Sequence, residues 1–468
     1  VMKATKTCVA ATRFQYDYLN DDITEDGRID YTLTNKVPQS LRDAIAQGKK
    51  ILVLINPPYA EATNADTISG GENKTGVAKT KLAVYAMNEF GKASNELYTQ
   101  FIARVAIEIP TATIAIFSTL KYVNALTLET FREKWNSEFL DGFIIPSKAF
   151  EGLKGDFPIG FLIWRTGRKK TKITNVSMEI SVDIYDKNGL PIGERRIVSS
   201  KANTLLTNWI NRPKTNKIDV VPLKNAIIPA TATKDLRGTK WSENAIGYML
   251  SGGNDLQHSS IQTVIFSSGY GSARGYYINE HNLWQIAIVF SVRRLIKPTW
   301  LNDRDQFLQP TEPLTEEFKN DCLVWMLFNG SNLTASANDL EWNGKKWSIV
   351  NHFIPFTEEE VNAPERFESD FMVQYMAGKK FSPEAKRVLA EGKKLWQAYF
   401  AHTDVHTVRE ELKLNRADVG WYQIRKALEA RNASGDFPPV SFSPFKEAYN
   451  ALTDKLQPMV YELGFLKV

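Results

Sequence analysis

Ile51-Leu52-Val53-Leu54-Ile55-Asn56-Pro57-Pro58-Tyr59 is the stretch on which the reading of this chain turns. Five aliphatic residues in a row, three of them β-branched, read as a strand buried on both faces, the pattern of a parallel sheet. The run halts in Asn-Pro-Pro-Tyr. Two consecutive prolines permit neither ladder pairing nor helix, so the chain leaves the sheet as a rigid extended turn at the strand's carboxyl end. Open α/β sheets place their ligands at that edge. The turn presents an amide side chain, two proline carbonyls and an aromatic ring. Such a set can hold a planar, amino-bearing ring. The Asn56 side-chain oxygen and the Pro57 carbonyl accept the two N–H bonds of an exocyclic amine, and Tyr59 stacks on the ring.

Bulk properties bound the rest. A chain of 468 residues is too long for one core and implies two or three domains. With 43% apolar, 24% charged and 11% aromatic residues it has the composition of an ordinary globular protein. No apolar stretch approaches the roughly 20 residues needed to span a bilayer. Val1-Met2-Lys3-Ala4-Thr5-Lys6 leads into a mixed segment rather than the apolar core of a signal peptide. Cys8 and Cys322 are the two cysteines, which excludes a disulfide framework or a cysteine-rich zinc site and suits a reducing cytoplasm. His258, His281, His352, His402 and His406 offer no convincing metal-ligand spacing, so no metal is expected. The net charge of +5 is unevenly placed: Arg165 to Lys224 holds 13 Lys and Arg against 5 Asp and Glu. That surplus suits phosphate contact, or a solvated hairpin with lysines outward.

Asn-Pro-Pro-Tyr after an apolar strand resembles the catalytic motif of the S-adenosylmethionine-dependent DNA amino-methyltransferases that modify adenine N6, in bacterial restriction–modification systems. Upstream, Phe14-Gln15-Tyr16-Asp17-Tyr18-Leu19 is similar to the family's adenosine-contacting segment. The resemblance implies that Asp17 accepts a hydrogen bond from the cofactor's adenine amine and that Tyr18 packs on the ring. Residues 60–80, with Gly70-Gly71 and Gly76, read as a polar loop over a DNA strand. Asn95 to Ala106 has the apolar spacing of an amphipathic helix and is similar to the family's Asn-Leu-Tyr-x-x-Phe helix, with one residue inserted. A strand from Ala112 to Phe117, a helix from about Thr127 to Trp135, and strands over Gly142–Pro146 and Phe157–Trp164 complete the pattern. In the resembling enzymes an aromatic before the last antiparallel strand stacks on the far face of the flipped base. Phe150 is the choice for that role, and Phe157 the runner-up.

The resemblance implies direct methyl transfer from S-adenosylmethionine. Asn56 and Pro57 draw the amine toward a tetrahedral nitrogen whose lone pair faces the methyl group, and positioning supplies most of the acceleration. The base must first leave the duplex. The family's glycine-rich cofactor turn has no counterpart before residue 14. Ser251-Gly252-Gly253-Asn254-Asp255 and Ser267 to Ser272 lack the strand-to-helix context of such a turn. The expectation is therefore a C-terminal part of a longer protein, with the missing part of the polypeptide or a partner subunit completing the sheet.

The expected fold class is α/β: residues 1–168 a partial Rossmann-like methyltransferase sheet, 169–356 a mixed α+β target-recognition domain, and 357–468 an α-helical C-terminal region. In the middle part, Asp186-Lys187-Asn188-Gly189 reads as a hairpin turn and Asn282 to Ile296 as the one long helix. Arg274, Arg293, Arg294 and Lys297 are the expected contacts to double-stranded DNA. Trp300 to Phe307 resembles a segment of large restriction–modification methyltransferases and receives no role. Beyond Phe356, helical periods cover Glu358–Asn362, Pro383–Phe400, Val405–Leu414, Gly420–Ala433 and Phe445–Leu463. Two alternatives stand beside the main reading. One is a DNA-binding specificity fragment without catalysis; the other is an amino-methyltransferase acting on cytosine N4 or a protein glutamine.

Overall fold

A computed structural model describes residues 11–58, 79–151, 155–167, 176–214, 218–231, 239–271, 274–402, 406–434 and 440–467. The fold is mixed α/β. The chain divides into two compact units: Val1–Thr204 with Thr299–Asp305, and Leu205–Pro298 with Gln306–Lys467.

The first unit is built on a six-stranded sheet. Its strands are β1 (Leu52–Ile55), β2 (Thr113–Thr119), β3 (Ser137–Pro146), β4 (Pro158–Thr166), β5 (Val176–Tyr185) and β6 (Pro191–Ser200). Their order across the sheet is β1-β2-β4-β3-β5-β6. β1 runs parallel to β2, β4 is antiparallel to both β2 and β3, and β5 returns parallel to β3. Helix α1 (Leu97–Glu108) links β1 to β2 in sequence, and α2 (Glu129–Lys134) lies between β2 and β3.

One face of this sheet carries the unit's core. Ile114 and Ile116 of β2, Leu162 and Trp164 of β4, Ile144 of β3 and Ile180 and Val182 of β5 pack with Tyr98, Ile102 and Val105 of α1 and Phe131 of α2. The alternation of strand side chains sends the other set outward. There Leu52 and Leu54 of β1 keep 69% of their surface exposed. Beside them Phe117, Phe161 and Phe143, one from each of three adjacent strands, form a half-buried aromatic row with centroids 4.6 and 5.4 Å apart.

β5 and β6 extend the first sheet, so the boundary expected at 168/169 falls between two of its strands. Thr299–Asp305 also belongs to this unit. Trp300 and Leu301 pack on its core, and Arg195 of β6 donates to the Asp305 carboxylate. The Thr299 amide donates to the Asn302 side-chain oxygen at 2.6 Å, which shapes the segment.

The second unit surrounds two almost wholly buried helices. These are α3 (Leu283–Leu295), bounded by Asn282 and Ile296 as its sequence period predicts, and α4 (Glu316–Leu327). α4 is a helix the sequence reading passed over, although Thr315 caps it by accepting from the Phe318 amide at 3.2 Å. Its apolar residues run round the helix instead of along one stripe, which hides the 3.6 period. A three-stranded antiparallel sheet, β7 (Gly247–Ser251), β8 (Thr263–Phe266) and β9 (Gly275–Ile278), lies in the same unit. The later helices α5 (Pro383–Ala401), α6 (Trp421–Ser434) and α7 (Ser443–Glu462) share one hydrophobic cluster with α3 and α4. The region from 357 onward is thus helical and continuous in its core with the segment before it. Among the described residues no helix is long and apolar enough to cross a membrane.

Candidate functional site

The carboxyl end of β1 lies on the same rim as the ends of β2, β3 and β5. The registers Ile55–Ile116, Thr119–Ile159, Pro146–Pro158 and Ile144–Ile184 fix this. Asn56 is exposed at that rim, Pro57 is buried and Pro58 is exposed. The prolines act here as their chemistry dictates: they end the ladder and fix the corner. Tyr59 and most of the loop expected at 60–80 lie outside the described residues.

Phe150 sits on this rim after the turn that closes β3. Its amide donates to the Ser147 carbonyl at 3.0 Å. Ser147, fully buried, ties the turn to the opposite strand: its hydroxyl donates to the Gly155 carbonyl at 3.2 Å and accepts from the Phe157 amide at 3.2 Å. The Phe150 ring meets Phe117 edge-on, with centroids 5.9 Å apart. Phe157 is half-buried nearby. Three strand steps, about 14 Å at ordinary spacing, separate the corner from the end of β3. Phe117, next to Ile116 in the strand paired with β1, stands in between.

The segment around Asp17 and Tyr18 folds onto α1. Asp17 shapes a turn, accepting from the Leu19 amide at 3.2 Å and the Asn20 side chain at 2.9 Å. Its carboxylate is exposed, and each oxygen retains acceptor capacity. Tyr18 departs from expectation. Its ring stacks on Phe101 at 5.7 Å, lies 4.7 Å from the Arg104 guanidinium, and so is not an open shelf for a cofactor's adenine.

Arg104 organises this region. It is fully buried on α1 and donates to the carbonyls of Tyr18 at 2.7 Å and Asp21 at 2.8 Å, to the Tyr16 hydroxyl at 2.5 Å, and to Glu108 at 3.2 Å. Tyr31 donates to the other oxygen of Glu108 at 2.6 Å. A buried charge is tolerated only when paired and hydrogen-bonded. This one fastens residues 16–31 to the helix. Burial, with Glu108 adding to it, raises the Tyr18 and Tyr31 hydroxyl pKa values well above the usual tyrosine range. The sequence signal for this cluster is three tyrosines near an Arg-x-x-x-Glu helix face; of these residues the resemblance gives a role to Tyr18 alone, as the ring packed on the cofactor's adenine.

In the second unit the four basic residues part company. Arg293 is fully buried, and its guanidinium donates at 2.8 Å to Thr263 Oγ1 and to the Gly253 and Gly252 carbonyls. Burial lowers its pKa to about 10. This corrects the expectation that it touches DNA: Arg293 staples the Gly252–Thr263 loop to α3. Half-buried Arg294 does the same for the Ser260 and Thr263 carbonyls, at 2.8 and 3.2 Å. Arg274 and Lys297 are exposed. A cavity of about 500 Å³ lies elsewhere in this unit, lined by Asn279, Glu280, His281, His352, Ser369 and Phe371 among others. His352 Nδ1 lies 2.7 Å from the Ser369 hydroxyl, and burial lowers its pKa while Asp418 opposes the shift. Among the described residues no cluster of His, Cys, Asp and Glu could hold a metal ion.

No family model and no curated protein matches this sequence. Among solved structures, the chain is similar to the ATP-dependent Type ISP restriction-modification enzyme LlaBIII bound to DNA, at a TM-score of 0.26 and 11% identity. The match takes in 52% of this chain and 17% of that one, so this chain spans a small part of that enzyme's length.

Proposed function

We propose that this chain is the base-holding and DNA-recognising part of a DNA adenine-N6 methyltransferase of a restriction–modification system. The observation that carries the reading is the corner itself. An exposed Asn56, followed by two prolines, closes an apolar strand at the carboxyl rim of a sheet ordered β1-β2-β4-β3 with β4 antiparallel. The same rim carries Phe150.

An exocyclic amine is a poor nucleophile because its lone pair is delocalised into the ring. Asn56 Oδ1 and the Pro57 carbonyl, accepting its two N–H bonds, favour a pyramidal nitrogen with the lone pair localised. Extruding the base costs a few kcal/mol. Stacking on aromatic side chains returns about 1–3 kcal/mol per base, and Tyr59 with Phe150 are the rings assigned to that. S-adenosylmethionine would supply the methyl group. Toward it the described residues offer the Asp17 carboxylate, while Tyr18 is occupied; the rest of its cradle must come from other residues. Arg274 and Lys297 remain as contacts to double-stranded DNA from the second unit.

Methyl transfer from labelled S-adenosylmethionine to DNA tests the reading, with the chain alone and with an N-terminally extended one. The expected result is incorporation at adenine that Asn56→Ala removes. Incorporation by neither form, with DNA still bound, would leave a DNA-binding specificity fragment, the second reading, which the occupied Tyr18 ring favours. Incorporation at cytosine would move the substrate to cytosine N4.

A further inference from the structure

The β5–β6 hairpin ends in Leu190-Pro191-Ile192, and Leu190 and Ile192 keep 60% and 56% of their surface exposed. Nothing about the turn is slack. The Asp186 carboxylate accepts from the amides of Asn188 at 2.8 Å and Leu190 at 2.9 Å, and the Asp186 amide donates to the Leu190 carbonyl at 2.8 Å. Gly189 supplies the φ of +82° that the reversal requires. Two aliphatic side chains are thus held in water by a rigid two-stranded ribbon.

The position of that ribbon gives it meaning. β5 runs parallel to β3, so the tip projects from the rim that carries Asn56 and Phe150. Four strand steps separate β1 from β5, about 20 Å at ordinary spacing. That equals about six base steps of a duplex at about 3.4 Å each. A duplex with one base in the corner and its axis along the strand order would run past the tip. Phosphate contact does not explain the tip: Asp186 turns its carboxylate onto the turn amides, and Lys187 is the exposed charge beside it. Apolar side chains presented to a duplex act as wedges between base steps, kinking it.

We propose that Leu190 and Ile192 form a wedge that enters a base step of the bound duplex, about six steps from the extruded base, and bends it there. This rests on reading the Asn56 corner as the base-holding site.

The test uses the full chain, a mixed-sequence 30-base-pair duplex labelled at both ends for energy transfer, and the same duplex with 2-aminopurine replacing individual adenines. The double variant Leu190→Ser/Ile192→Ser should lose the bend and about tenfold in affinity, with the dependence of affinity on salt unchanged. Lys187→Ala should keep the bend and lower the salt slope by about one phosphate contact. An unchanged bend and affinity in the double variant overturns the proposal. So does a self-association of the chain that the double variant abolishes, since the tip would then serve a second copy. Asn56→Ala separates the two readings: it should abolish 2-aminopurine emission and leave the bend intact. Emission indifferent to Asn56 beside a bend that needs Leu190 and Ile192 would sink the corner and keep the wedge. An equal melting temperature of the double variant and the parent chain guards against a folding artefact.

Discussion

Leu54 in β1 and Phe290 in α3 are both apolar side chains set in continuous apolar runs, yet Leu54 is 69% exposed and Phe290 fully buried. The second unit closes on itself, and α3 is covered on almost every side. The first unit packs its helices on one face of the sheet and leaves β1 as an edge with its Leu52–Leu54 side in solvent. The comparison teaches that an apolar run reports what a strand can bury, while the number of layers built round it decides what it does bury. It also bears on the proposed site, because the Asn56 corner directly follows this exposed edge strand.

The sharpest way to break this contrast is truncation on both sides of it. Phe290→Ala should destabilise the second unit by about 3–5 kcal/mol through lost burial and an unfilled cavity. Leu54→Ala should change stability by less than about 0.5 kcal/mol, as a surface change does. Urea unfolding compares them, and a Leu54→Ala effect as large as that of Phe290→Ala would mean that β1 is covered in solution.

Next in size comes the pair Arg293 and Lys297, four residues apart. Arg293→Met strands three acceptors in a buried site and should lower stability by about 2–4 kcal/mol. Lys297→Ala should leave stability alone and reduce the salt slope of DNA binding by about one. If Arg293→Met protein is as stable as the parent, the assignment of Arg293 to the loop staple fails.

Within the first unit, Tyr31→Phe deletes the hydroxyl that donates to Glu108 and should cost about 1.5–3 kcal/mol, the range for a hydrogen bond to a charged group. Denaturant midpoints read the difference, and no shift would show that Arg104 alone satisfies Glu108.

The smallest effect is one of pH. Burial raises the Asp305 carboxyl to about 6, against the opposing pull of Arg195. A folded pKa above the unfolded value of about 3.9 means that the folded state binds the proton more tightly. Its contribution is complete below about pH 4 and is lost as pH rises through about 6. With 22% of the side chain still exposed, the span should be about 1–2 kcal/mol. Asp305→Asn should flatten the stability profile over that window, and an unaltered profile would assign the slope to other groups.

Several elements were legible before any coordinates. β1 with its Asn-Pro-Pro corner, α3 between Asn282 and Ile296, and the helix starts at Thr357 and Ser382 follow from local rules. Thr357 and Glu360 form a capping box, and Ser382 caps a helix whose first residue is Pro383. α4 was missed because a helix buried all round carries no amphipathic stripe. The roles of Tyr18 and Arg293 were misjudged for another reason: an aromatic or an arginine looks the same in sequence whether it faces a ligand or a carbonyl distant along the chain.

Taken alone, the sequence determined where the chain can be strand, helix or corner, since backbone sterics, side-chain period and capping act over a few residues. Tertiary structure alone decided that β5 adds to the first sheet parallel to β3, that Trp300 to Asp305 returns to that unit, and which arginines are desolvated. Those outcomes depend on partners tens to hundreds of residues away, such as Tyr18 for Arg104 and Arg195 for Asp305. Strand register and the pairing of buried charge are settled by such distant contacts, which no local pattern encodes.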